Sequence, residues 1–176
     1  MEKTESLLKQ LPEAAKDVKL GLKSVLTEEG SPGLTQEHIW GAALSAAITL
    51  RHPELEQAIR ADSEETLGEA GVKAAETAAA LMGITNIYYH TVFHLMKDDT
   101  TRTMPAGIRM NASKSHGHDA VSYELFCFAS SVIGQCGSCV NAHDKQLKDA
   151  GVSREGIQST VRLVAYLNSA AIMLKA

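Results

Sequence analysis

Aromatic residues make up only 5% of this 176-residue sequence. Sheets draw on aromatic and β-branched side chains, so this scarcity, beside abundant alanine, argues for closely packed helices. Cysteine is also scarce and odd in number: Cys127, Cys136 and Cys139. An odd count excludes the fully paired disulfide framework of a small secreted domain. The opening Met1-Glu2-Lys3-Thr4-Glu5 is charged and lacks the apolar centre of a signal peptide. There is no excess of positive charge, with 17 Lys and Arg against 21 Asp and Glu and a net charge of −4. That removes any general attraction to nucleic acid phosphates. Long apolar runs are missing too. The stretch from Gly41 stops at Arg51, and the C-terminal one is interrupted by Arg162 and Asn168. The expectation is a soluble cytoplasmic protein that binds neither nucleic acid nor membrane.

What is present is ordinary for a globular chain: 44% hydrophobic and 22% charged residues. The length suits one domain over residues 1–176 that builds its core without metal or disulfide staples. The patterning is helical almost throughout. Pro12 opens a helix carrying Ala15, Val18, Leu22 and Val25 at helical spacing, which ends at the Glu29 to Gly33 breaker cluster. Thr35 caps the next helix, through Ile39, Ala43, Ala46 and Leu50. Pro53 starts a short third helix, and Ser63 starts a fourth that runs to about Met82. Gly83 separates it from a helix over Ile84 to Met96, and residues Asp98 to His116 read as an irregular loop. Helices over His118–Ile133, Cys136–Ala150 and Ser153–Leu174 complete an all-α, multihelical bundle.

The informative segment is Cys136-Gly137-Ser138-Cys139-Val140-Asn141-Ala142-His143, with Glu124 on the helix before it. At about 100° per residue, Cys139 lies at about −60° from Cys136 and His143 at about −20°, so all three share one face. Cys139 and His143 are neighbours one turn apart. Cys136 sits at the helix N-terminus, where free N–H groups and the dipole favour a thiolate. Glu124 falls at the margin of the buried stripe of its helix, a setting in which a carboxylate can serve as a base. Gly134 lets the chain turn back and bring Glu124 toward His143. This is the equipment of a redox-active dithiol. The same four side chains also number enough for a zinc-stabilised helical module, although no second Cys-x-x-Cys or His-x-x-x-His lies nearby. Covalent haem is disfavoured because Val140 follows the second cysteine, and a thioredoxin fold because no βαβ pattern surrounds the motif. Cys127 reads as a packing residue. His90 and His94, four apart, form a possible metal pair, but surface or packing roles are the better reading.

At these residues the sequence resembles the AhpD-type alkyl hydroperoxidases of the carboxymuconolactone decarboxylase-like superfamily. The resemblance covers nearly the whole chain. It includes Leu11 to Leu20, Ala79 to Tyr89 and Gly107-Ile108-Arg109-Met110-Asn111 as well as the dithiol motif. It implies an all-helical AhpD-like fold and a homotrimer. It also implies an antioxidant activity that reduces organic hydroperoxides and the disulfide of a partner peroxiredoxin, AhpC. No tightly bound cofactor and no metal are implied. The electron donor would be dihydrolipoamide carried on a lipoyl-bearing 2-oxo acid dehydrogenase component. The family's carboxylate corresponds to Glu124, its two cysteines to Cys136 and Cys139, and its relay histidine to His143. The family's usual histidine between the cysteines is replaced here by Ser138, which cannot carry positive charge. Other readings left open are a non-catalytic redox adaptor and a decarboxylase-like enzyme, the latter disfavoured by the cysteine pair.

Overall fold

A computed structural model describes residues 1–174. Eight α-helices follow in order among the described residues: α1 Glu2–Leu8, α2 Lys16–Val25, α3 Gln36–Leu50, α4 Pro53–His90, α5 Asp99–Thr103, α6 Ala120–Ile133, α7 Gly137–Asp149 and α8 Arg154–Met173. Short 3-10 turns cover Glu13–Ala15 and Asn111–Lys114, and a π-helical turn covers Thr91–Leu95. The expected all-α class is the observed one.

The core is built on α3 and α6. Every residue from Ile39 to Ala47 is buried, as is every residue from Leu125 to Ser131. A helix apolar all round has to be enclosed by others, and α4 and α8 pack on this pair. Alanine at Ala42, Ala43, Ala46 and Ala47 lets α3 come close to its neighbours. A buried hydroxyl cluster then fixes the register of α3 against α6. Ser45 Oγ and Ser130 Oγ lie 2.6 Å apart, Thr49 donates to Ser130 Oγ at 2.9 Å, and Ser45 donates to the Phe126 carbonyl at 3.0 Å. Thr35 starts α3 by accepting the His38 N–H at 3.3 Å, while His38 Nδ1 accepts the Thr35 N–H.

Several sequence expectations are corrected. The helix expected from Pro12 begins as a 3-10 turn and becomes α-helical only at Lys16. Ser63 does not restart a helix; it is buried inside α4, where its hydroxyl returns to the Arg60 carbonyl at 3.0 Å. The bend lies at Gly68, whose φ of 59° and ψ of −178° only glycine adopts easily. Gly83 is helical and breaks nothing, and the helix expected to run to Met96 yields to the π turn after His90. The expected loop over 98–116 contains α5, capped by Asp98.

Helix α1 was not expected from sequence, because seven residues carry little periodic signal. Tertiary contacts hold it. Leu7 and Leu8 enter the core, and Asp62 accepts the Lys3 N–H at 3.0 Å and the Thr4 N–H at 2.7 Å. Burial alone would raise the Asp62 carboxyl, but these amides outweigh it and hold the group below its ordinary value. A carboxyl depressed in the folded state stabilises fully above its unfolded pKa of about 3.9 and loses that contribution as pH falls through the folded value. Asp62→Asn is therefore expected to loosen α1 at neutral pH by about 1 kcal/mol, read as faster amide exchange at Lys3 and Thr4. Acidification below the carboxyl range should do the same to the unsubstituted protein and leave the variant unchanged.

Candidate active site

The site forms where α4, α6 and α7 meet. Gln135, with φ of 51°, turns the chain sharply between α6 and α7. Gly134 is required there because a Cβ would collide with the Asn86 carboxamide, which donates to the Ser130 carbonyl at 3.1 Å. The turn folds α7 back along α6, so that two residues nineteen apart in sequence meet. Glu124 Oε1 lies 2.6 Å from His143 Nδ1, and both side chains are mostly buried.

Cys136 and Cys139 are joined as a disulfide, with Cα atoms 5.2 Å apart. Cys136 is the N-cap of α7, and its Sγ accepts the Cys139 N–H at 3.3 Å. It is fully buried, whereas Cys139 lines a cavity of about 350 Å³. The cavity walls are mostly apolar: Met82, Tyr89, Phe93, Met110 and Ala142 surround Cys139, His143, Ser138 and Thr85. Cys139 Sγ rests 3.7 Å from the Thr85 carbonyl. A second cavity, of about 440 Å³, opens on the far side of His143 and reaches Glu124, Tyr123 and Cys127. His143, Met82 and Met110 stand between the two.

Met82 is a neighbour that sequence reasoning did not single out. Its Sδ lies 3.2 Å from His143 Nε2. A thioether sulfur only accepts, so a proton taken up on Nε2 has Met82 Sδ as its acceptor. With Glu124 on Nδ1, both ring nitrogens have an acceptor when the imidazole is charged. No periodic signal marks Met82, which reads as one more core residue of an alanine-rich helix.

The remaining candidates separate from this group. Cys127 is a free, buried thiol; burial pushes it up to about 12, Glu124 pushes the same way, and the neighbouring Tyr123 hydroxyl offsets this only in part. It is inert as a nucleophile. His90 and His94 stack with ring centroids 5.5 Å apart, and His94 Nε2 accepts the Ser138 N–H at 3.2 Å. The donor set does not suit zinc: the two sulfurs are bonded to each other and Glu124 is committed to His143. Among the described residues no group of three or more His, Cys, Asp or Glu is arranged to hold a metal ion. Nor does any described helix have the length and apolarity to cross a membrane.

A model of the carboxymuconolactone decarboxylase family matches residues 103–176, which include this whole dithiol segment. Over the full length the similarity is more specific. An alkyl hydroperoxide reductase AhpD of Rhodospirillum centenum is 39% identical over 98% of this chain and 90% of its own length. The chain belongs to the AhpD family. An AhpD of a Bradyrhizobium strain is 41% identical over 98% of this chain and 93% of its own length. One from Coxiella burnetii is 41% identical over 92% of this chain and 91% of its own length. The matches over 98% of the chain leave out at most four residues, so membership rests on nearly the whole length as well as on the cysteine pair.

Proposed function

We propose that this protein is a dithiol-dependent alkyl hydroperoxide reductase, active as an antioxidant peroxidase. Cys139 is the peroxide-reacting thiol, Cys136 its resolving partner, and His143 with Glu124 the proton relay. The observation that carries this reading is the Cys136–Cys139 disulfide at an apolar cavity that Cys139 shares with His143, itself bonded to Glu124. The family relatives named alkyl hydroperoxide reductase support it.

In the dithiol state His143 takes the Cys139 proton, with Glu124 stabilising the imidazolium through Nδ1. The thiolate attacks the distal peroxide oxygen. The O–O bond breaks, Cys139 becomes a sulfenic acid, and the alkoxide takes the proton from His143 to leave as an alcohol. Cys136 then attacks the sulfenic sulfur, forming the disulfide and releasing water. The apolar walls around Cys139 suit the organic part of an alkyl hydroperoxide.

Reduction reverses the disulfide by exchange. A donor thiolate attacks Cys139, the sulfur that faces the cavity, and the electron pair of the broken bond stays on Cys136. The second donor thiol then closes the donor's own disulfide and frees Cys139. We assign this role to dihydrolipoamide on a lipoyl-bearing 2-oxo acid dehydrogenase component, with no tightly bound cofactor in the protein. The dithiol would also reduce the disulfide of an AhpC-type peroxiredoxin in the cytoplasm. Exposed Ile84 and Ile87 on α4, with Leu95 and Met104 beyond it, form apolar surface of the kind a homotrimer would cover.

The test is a reconstituted assay with an alkyl hydroperoxide and dihydrolipoamide, reduced glutathione or thioredoxin in turn, each with and without an AhpC-type peroxiredoxin. Sustained turnover with dihydrolipoamide alone is expected, and the peroxiredoxin should raise it. Turnover only when the peroxiredoxin is present would make the protein a redox adaptor. Turnover with the other two donors but not with dihydrolipoamide would overturn the donor assignment.

A further inference from the structure

One side chain at the dithiol takes no part in the cycle just described. His94 belongs to the π turn after α4, yet its Nε2 accepts the Ser138 N–H at 3.2 Å, across the start of α7. The first N–H groups of a helix have no partner within the helix. Here two of them are taken, that of Cys139 by Cys136 Sγ and that of Ser138 by His94. The Ser138 hydroxyl lies 3.4 Å from the same Cys136 sulfur. An imidazole, a hydroxyl and the Cys136 sulfur thus crowd one helix terminus.

The imidazole accepts through Nε2, so in the disulfide state that nitrogen carries no proton. Protonated, Nε2 becomes a donor and can no longer hold the amide. The protonation state of His94 therefore decides whether the Ser138 N–H is occupied or free. It also decides whether positive charge stands at the end of α7 where Cys136 leaves. His143 does not serve this end, because it is turned to Glu124 and Met82. His94 is exposed and can exchange protons with solvent. The titratable and charged groups around it are His90 on its own face, Arg102 of α5, which donates to the Val92, Phe93 and Met96 carbonyls, and Cys136 of α7. Asp99 is engaged with Arg102, and among the described residues no carboxylate bonds to His94.

We propose that His94 is a positioning residue for disulfide reduction, which by taking a proton releases the Ser138 amide and places a positive charge beside the departing Cys136 thiolate. The proposal rests on the reading that Cys136 and Cys139 cycle between disulfide and dithiol. The bond changes are those of the exchange step above: a donor dithiol's sulfur bonds to Cys139, the Cys136–Cys139 bond breaks, and Cys136 keeps the electron pair. A cation at that terminus lowers the cost of this charge.

The test uses Cys139→Ser protein, in which Cys136 is the one thiol left to titrate in the working range, since burial pushes the Cys127 thiol up to about 12. Thiolate absorbance is followed against pH with His94 intact, with His94→Gln and with His94→Phe. Glutamine keeps an acceptor for the Ser138 N–H but carries no charge. Both variants are expected to raise the Cys136 titration by about one pH unit, and glutamine should not rescue it. In the intact dithiol protein both should slow disulfide reduction by dihydrolipoamide about tenfold, with the deficit largest at acid pH. A His94→Gln variant that titrates like the parent would make His94 a simple helix cap and overturn the proposal. So would a Cys136 titration unmoved in both. Absent peroxide turnover together with a shifted titration would instead sink the functional reading and leave the His94 assignment supported.

Discussion

Replacing Cys139 by serine is expected to abolish peroxide turnover, by about 10³-fold or more, and to remove sulfenic acid trapping by a dimedone-type probe. Serine is nearly isosteric, and helix α7 keeps its cap because Cys136 accepts the backbone N–H of residue 139, not its side chain. Far-UV circular dichroism should therefore be unchanged. Cys136→Ser should behave differently. Cys139 still meets peroxide from the cavity, so one sulfenate per chain should form and be trapped, but no disulfide can follow and turnover should stop after one cycle. The contrast follows from exposure: Cys139 lines the cavity and Cys136 is fully buried. The helix dipole taken alone would favour Cys136 as the more acidic thiol. Sulfenate trapped at Cys136 in the Cys139→Ser protein would reverse the order of the two thiols.

The second large effect is expected at the relay. Glu124→Gln and His143→Gln should each lower kcat/KM for an alkyl hydroperoxide by about 10²–10⁴-fold, the range for a lost proton-transfer group. The two act as one unit across a 2.6 Å hydrogen bond, so the double variant should lose little more than the worse single one. Their pH dependence should also change. With the relay intact, the proposed transfer to His143 should spare the rate a dependence on hydroxide. Without it, the rate should climb with pH through the ordinary thiol range, near about 8.5, because solvent must then take the proton. Glu124→Gln preserves a hydrogen bond to Nδ1 and removes only the charge, so it separates orientation of the ring from stabilisation of the imidazolium. Parent-like rates and pH profiles in both variants would exclude a relay through this pair.

Much of the site was legible in the chain because it is local. Cys136, Cys139 and His143 lie within two turns, and helical geometry puts them on one face whatever surrounds them. The cap at Thr35 and the break at Gly134 were readable for the same reason. Long-range features were not. Helix α1 exists because Asp62, far along the chain, accepts its amides. The bend in α4 falls at Gly68 and not at Ser63, because a buried serine can satisfy its hydroxyl on its own helix, whereas φ near +60° demands glycine. Met82 and His94 carried no signal beyond core packing and a possible metal pair. Their partners, His143 and the Ser138 amide, come from another helix.

The helical class, the dithiol at the head of one helix and the imidazole one turn beyond follow from local residue order, since periodicity and capping act over a few residues. Which sulfur faces the cavity, the closure of Glu124 on His143 and the flanking positions of Met82 and His94 do not follow from it. Those outcomes depend on how separate helices approach one another, and that is set by packing of the whole core.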